Sequence, residues 1–193
     1  IRVSAGVNRA PDQEIISGNL VSTLNLVQAI QKAQNRARLV FASSAQVYDL
    51  VSRSPIKENR SANPSTLYGV AKKAAEDIIR LSGLDCVILR FTNVYGPGCR
   101  PYYNSIIATL CDRAVREQTL IINGDGKQGR DFVYIDDVSR MVSKSLDYLA
   151  GDNHSRVFNC GSGQASSMKE IVSAMKTVSK VDFQVEILQS QSN

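Results

Sequence analysis

Ser44 and the run Tyr68-Gly69-Val70-Ala71-Lys72 set a hydroxyl, a phenol and an ammonium at a spacing that suits hydride-transfer chemistry. If the Tyr-x-x-x-Lys run begins a helix, its two ends lie one turn apart on one face, which brings the Lys72 charge close to the phenol. A cation there favours phenolate. The Tyr68 pKa is therefore expected to fall toward the range in which a phenol exchanges a proton with a substrate hydroxyl or carbonyl. Ser44 follows the apolar run Leu39-Val40-Phe41-Ala42, which reads as a buried parallel strand. It would then sit at the carboxyl edge of a sheet, where open α/β folds bind ligands.

A Tyr four residues before a Lys is a weak signal by itself, so the flanking elements must give this one its weight. Asn63-Pro64-Ser65 supplies turn and capping residues just ahead of a helix over 66–81. Strands over 1–5, 38–42 and 85–91 alternate with helices over 19–35 and 66–81, the pattern of a parallel βαβαβ unit. Beyond Val94 the pattern is less regular. A loop passes Pro97, Gly98 and Pro101, followed by a helix over 104–117, a strand over 119–122 and a Gly-rich loop to Arg130. Helices over 137–148 and 167–179 flank a strand over 157–159. No repeat, low-complexity stretch or linker interrupts the chain.

Composition narrows the class. The 193 residues are 43% apolar, enough for about one domain with a sizeable core. The net charge of +5 comes from Lys and Arg interspersed with acids, which reads as a solvated surface and a few arginines for a phosphorylated substrate, not as a nucleic-acid face. No apolar run approaches the roughly 20 residues of a membrane span, and no secretory signal opens the chain, so the cytoplasm is the expected compartment. Cys86, Cys99, Cys111 and Cys160 form no Cys-x-x-Cys pair, and the single His154 sits in a polar loop. A zinc site is not expected, and the chemistry needs no metal.

Four ordered segments carry a resemblance to a known family. Phe41-Ala42-Ser43-Ser44-Ala45-Gln46-Val47-Tyr48, the run Tyr68 to Lys72, Arg90-Phe91-Thr92-Asn93-Val94-Tyr95-Gly96-Pro97, and Gly124 to Val138 resemble the extended short-chain dehydrogenase/reductases, the NAD-dependent epimerases and dehydratases of nucleotide sugars. Phe158-Asn159-Cys160-Gly161-Ser162-Gly163 with Ser167 resembles a fifth segment. The resemblance implies a Rossmann-like, doubly wound parallel α/β sheet with a small substrate-binding portion. It divides the chain into 1–93, the later part of the dinucleotide domain, and 94–193, which adds its last elements and the sugar-nucleotide portion.

The resemblance also implies roles. Ser44 would hydrogen-bond the reacting sugar oxygen, with Ser43 as the alternative hydroxyl, Tyr68 would be the acid/base, and Lys72 would bind the nicotinamide ribose. Ser4, Ala5, Gly6, Asn19, Ser43, Tyr68, Lys72 and Thr92 would face an NAD or NADP cofactor. Asn19 reads equally well as a helix cap. Gln46, Asn93, Arg100 and Arg130 would bind a nucleotide-diphosphate sugar, Arg130 by its planar fork on a phosphate, or else it is simply solvated. The family further implies a homodimer.

The triplet Ser44-Ala45-Gln46 stands where the 4,6-dehydratases of this family carry Thr-Asp-Glu, and eliminating water needs those carboxyls. It is similar to that of the sugar 4-epimerases, which oxidise C4 to a ketone and reduce it again from the other face. Ala5 to Arg9 and Cys99 to Ser105 instead resemble NADPH-dependent keto-sugar reductases of polysaccharide-precursor synthesis. The family's opening glycine-rich turn has no counterpart near Ile1, and Val3 stands where its His-x-Ala-Gly turn has His. The chain is thus expected to be a fragment of a longer enzyme that binds free dinucleotide poorly. Three readings stay open: a C4 epimerase, a keto-sugar reductase, and a silent fragment or binding module.

Overall fold

The structure, a computed structural model, describes residues 11–33, 37–48, 55–103, 105–148 and 156–188. The strand expected over 1–5, with Ser4, Ala5 and Gly6, lies outside the described residues. In chain order the elements are α1 (Asp12–Ile16), α2 (Ser22–Lys32), β1 (Leu39–Ser44), α3 (Leu67–Leu81), β2 (Cys86–Phe91), β3 (Asn93–Tyr95) and α4 (Ile106–Val115). There follow β4 (Leu120–Asn123), β5 (Gly129–Tyr134), α5 (Ile135–Tyr148), β6 (Arg156–Cys160), β7 (Ala165–Ser167), α6 (Met168–Val178) and β8 (Val185–Leu188).

The chain falls into two compact units that interleave in sequence. One takes its described residues from Ala10–Thr92 and Asp136–Gly161, the other from Asn93–Ile135 and Ser162–Asn193. In the first, β1, β2 and β6 pair in that order as a parallel sheet, with Ser43 opposite Arg90 and Arg90 opposite Asn159. β2 is buried at every residue, as the central strand of a parallel sheet must be. Ala71, Ala75 and Ile79 recur every four residues of α3 and form its buried stripe. Ile79 packs with Val27 of α2 and with Cys86 and Ile88 of β2.

In the second unit β5 pairs parallel with β3 and antiparallel with β7, while β4 and β8 pair parallel. Leu110 and Ala114 of α4, Leu120 and Ile122 of β4, Met168 and Val172 of α6, and Phe183 form its core. Ser167 and Glu170 cap α6 reciprocally, so two backbone amides find side-chain acceptors and fix where that helix starts.

Three departures from the sequence reading concern the site. The helix expected from Asn19 begins at Asp12 and passes through a π-helical turn at Ser17–Val21 into α2, so Asn19 lies mid-helix, not at a cap. Its Nδ2 donates to Ile15 O at 2.8 Å, and its own carbonyl accepts from Thr23 Oγ1 at 2.6 Å. β1 runs two residues further than expected, through both serines. The Gly-rich loop toward Arg130 gives way at Gly129 to a strand, because Gly129, Arg130 and Asp131 pair with Ser167, Ser166 and Ala165.

Candidate active site

β1 ends in Ser44, still extended at φ −141° and ψ 146°, and the chain turns at once into a single 3₁₀ turn at Ala45–Val47. The Ser44 Oγ caps that turn by accepting from the Gln46 amide at 3.2 Å, which fixes the side chain at the carboxyl end of the strand. α3 starts after Thr66, whose hydroxyl accepts from the Gly69 amide at 3.0 Å, so the cap is Thr66 and not the Asn63-Pro64-Ser65 group ahead of it. Tyr68 is then the second residue of α3, with Lys72 one turn on. The Lys72 Nζ donates to Ala42 O at 2.9 Å, and it lies 5.0 Å from the Phe41 ring centroid and 5.8 Å from that of Tyr68. One ammonium thus ties the first turns of α3 to the end of the strand that carries Ser44.

Gly69 makes that approach possible. A Cβ added there would stand 2.3 Å from Gln46 O and 2.9 Å from Pro64 Cβ. A backbone carbonyl cannot swing aside like a side-chain end, so α3 or the Ser44 turn would have to move. Ala recovers only about 0.5–1 kcal/mol of helix propensity over Gly, whereas overpacking costs about 1–3 kcal/mol. We expect Gly69→Ala to destabilise the protein by about 1–2 kcal/mol, read as a lower denaturation midpoint. A midpoint raised by the substitution would mean that α3 does not press on Gln46.

The electrostatics reverse one expectation. Burial pushes the half-buried Tyr68 phenol above the usual tyrosine range, where the sequence led us to expect a lowered pKa. The reason is geometric: the ammonium is engaged by Ala42 O and faces the rings, leaving desolvation as the cause that acts on the phenol. Burial also lowers the pKa of Lys72, opposed by the negative charge of Glu76 one turn further along α3. Tyr68 therefore rests as a protonated phenol at neutral pH. Its folded pKa lies above its unfolded one, so this contribution to stability is complete below about pH 10 and is lost as pH rises through the folded value. Subtracting the ultraviolet phenolate titration of Tyr68→Phe from that of the unliganded wild type should show Tyr68 ionising above pH 10; ionisation below that would contradict the burial.

The remaining expected site residues are placed as follows. The Ser43 hydroxyl donates to Glu76 Oε1 at 2.5 Å, inside the protein. Gln46 is exposed and its Oε1 accepts from Thr66 Oγ1 at 3.2 Å. Thr92 follows β2, with its amide donating to Cys160 O at 3.0 Å. Asn93 Nδ2 donates to Asp131 O at 2.8 Å, and Arg100 is exposed. Arg130 is half-buried in β5, burial lowers its pKa, and no acid forms an ion pair with it among the described residues. Ser44, Tyr68 and Lys72 lie in the first unit; Asn93, Arg100 and Arg130 lie in the second.

A second group was given no role by the sequence, although Tyr48, Arg90 and Asn159 lie in the segments that carry the resemblance. Arg90 donates to both oxygens of Glu76, from Nε at 2.9 Å and from a terminal nitrogen at 2.6 Å, and both side chains are buried. The other terminal nitrogen donates to the Tyr48 hydroxyl at 2.6 Å, and that hydroxyl donates to Asn159 Oδ1 at 2.8 Å. The signal was present in the sequence: a lone Arg inside Cys-Val-Ile-Leu-Arg-Phe needs a buried acid, and Glu76 is the acid on the helix that covers that strand.

The donor set fits the nicotinamide end of a dinucleotide. One of the three Lys72 donors goes to Ala42 O, beside a protonated phenol at the carboxyl edge of a parallel strand, which suits the hydroxyls of a ribose. No cluster of His, Cys, Asp or Glu that could hold a metal occurs among the described residues. None of their helices is long and apolar enough to cross a membrane.

Comparison with known proteins assigns the family. UDP-glucuronate 4-epimerase 2 of Arabidopsis thaliana is 30% identical over 203 residues, covering 94% of this chain and 46% of the plant protein. Among solved structures, MoeE5 in complex with UDP-glucose and NAD superposes with a TM-score of 0.80 at 32% identity, over 89% of this chain and 57% of that one. The UDP-glucuronic acid 4-epimerase of Bacillus cereus, in complex with UDP-glucuronic acid and NAD, gives 0.81 at 26% identity over 97% and 60%. The chain spans about half the length of the curated relatives it matches. The model of the NAD dependent epimerase/dehydratase family matches residues 4–161, the stretch that holds the serine turn, the Tyr-x-x-x-Lys helix and the buried arginine, and the chain belongs to that family.

Proposed function

We propose that this protein is an NAD-dependent epimerase that inverts C4 of a UDP-sugar through a 4-keto intermediate. The observation that carries it is the Lys72–Ala42 bond, which holds the Tyr68 helix on the strand ending in Ser44, with Ala45 and Gln46 in place of the carboxyls that dehydration needs. The Ser44 hydroxyl donates to the C4 oxygen, and Tyr68 in its phenolate form accepts the proton of the C4 hydroxyl and returns it when the ketone is reduced. Lys72 holds the ribose hydroxyls. An oxidised nicotinamide dinucleotide supplies, when bound, the hydride acceptor and a positive charge that favours the phenolate. Thr92 and Asn19 belong to the cofactor side. Gln46, Asn93, Arg100 and Arg130 belong to the substrate side, and the half-buried guanidinium of Arg130, with no acid paired to it among the described residues, suits a phosphate.

Homodimerisation and a cytoplasmic setting complete the proposal. Val21, Leu24, Leu67 and Val70 are exposed on the α2 and α3 side, and Val21 and Leu67 line one cleft of about 420 Å³ with Ile16, which supports an apolar contact between copies. All four cysteines are free, which supports a reducing compartment.

Incubating the full-length protein with NAD and either UDP-glucose or UDP-glucuronic acid should yield the matching 4-epimer, resolved by chromatography and proton NMR, with no net reduction of NAD. Stoichiometric loss of NADPH on a keto-sugar, without any 4-epimer from either sugar, would overturn the epimerase in favour of a reductase.

A further inference from the structure

Beneath the serine turn lies a buried ionic group that the proposed proton transfer does not use. Ser43, Arg90 and Asn159 stand opposite one another on adjacent strands β1, β2 and β6. Glu76 reaches this row from α3, accepting from Ser43 at 2.5 Å and from Arg90 through both oxygens. Tyr48, just past the 3₁₀ turn, closes the group by joining Arg90 to Asn159, while its ring lies 4.8 Å from the guanidinium carbon. Asn159 carries it outward, its Nδ2 donating to Ile56 O at 2.8 Å and its amide to Glu58 Oε1 at 2.9 Å. Each element that bears or abuts the site therefore meets one carboxylate and one guanidinium: β1 beside Ser44, α3 one turn beyond Lys72, and the turn after Ser44.

We propose that the Glu76–Arg90 pair is the positioning element of this site. It fixes α3 against β1 so that Tyr68 and Lys72 stand at the carboxyl end of the strand, and it takes up the Ser43 hydroxyl so that Ser44 is the serine that serves the substrate.

Three observations favour positioning over simple stabilisation. A parallel sheet can fill this place with apolar side chains, as the rest of β2 does, and a buried pair seldom stabilises more than well-packed apolar residues. The fork-to-fork geometry sets a direction and a height for α3 that apolar contact does not set. Adjacent strand residues point to opposite faces, so binding Ser43 from the α3 side also fixes the orientation of its neighbour Ser44. Small displacements matter at such a site, since a shift of about 1 Å costs on the order of 10²-fold in rate.

The inference rests on the reading of Tyr68 as the acid/base, and the test keeps the two apart. In the full-length protein, two variants are assayed for 4-epimer formation beside Tyr68→Phe: Glu76→Gln combined with Arg90→Met, which removes both charges, and Tyr48→Phe alone. For the paired substitution we expect circular dichroism and a thermal midpoint near wild type, kcat reduced at least tenfold, and KM for the sugar nucleotide changed less than threefold. Tyr48→Phe, which removes only the hydroxyl that bridges Arg90 and Asn159, should lower kcat about threefold with KM unchanged. If Tyr68→Phe is inactive while the folded paired variant keeps kcat within threefold of wild type, the pair is merely structural and the proposal is wrong. If the paired variant does not fold, Tyr48→Phe decides, and full kcat there overturns it. Full activity of Tyr68→Phe overturns the site reading itself, and the proposal falls with it.

Discussion

Replacing Tyr68 by Phe in the full-length protein is expected to lower kcat by about 10²- to 10⁴-fold, the usual contribution of a positioned acid or base. Binding of the sugar nucleotide should change little, because only one oxygen is removed and the ring keeps its place above Lys72, 5.8 Å from the ammonium. Burial already holds the phenol in its protonated form, so Tyr68 can give a proton at neutral pH, and it can take one only when a positive charge beside it offsets that burial. The loss should therefore appear in both directions of the epimerisation. Measuring kcat from each 4-epimer, with binding followed separately by calorimetry, checks this. A loss of only twofold would remove Tyr68 from the chemistry and leave Ser44 and Lys72 as binding groups.

What was legible in the sequence, and what was not, divides along physical lines. The apolar run before Ser44 marked β1, and the turn residues Asn63-Pro64-Ser65 marked the start of α3, because a buried strand and a helix boundary both leave signs in residue type. The direction of the Tyr68 pKa was misread because spacing says that Lys72 is close, but not that Ala42 O holds it off the phenol. The π-helical turn at Ser17–Val21 left no mark, since an extra backbone residue in a helix needs no particular side chain to announce it. The start of β5 was read as the end of a loop because Gly129 looks like a turn residue, whereas its partner Ser167 is far along the chain and pairs with it only in the fold. Arg90 is the instructive case: its place within an apolar strand was visible, and the consequence that a buried acid must meet it was not drawn.

That consequence sets the largest stability effect expected here. Glu76→Ala leaves Arg90 buried with its charge uncompensated, two donors without acceptors and the Ser43 hydroxyl without its partner. Removing one member of a buried pair typically costs about 3–5 kcal/mol, against a total stability of about 5–15 kcal/mol for a domain. Arg90 cannot escape by losing its proton, because Glu76 and Tyr48 outweigh its burial and hold its pKa above the already high arginine value, and its side chain is buried. Glu76→Ala should thus populate unfolded protein in mild denaturant, well beyond the effect of Gly69→Ala. Arg90→Met added to Glu76→Ala should recover most of the loss, since the cost lies in the orphaned charge rather than in the missing attraction. Denaturant unfolding of the single and double variants decides the matter: equal destabilisation of the two would mean that the guanidinium finds water or another partner, and that the pair is less isolated from solvent than its burial indicates.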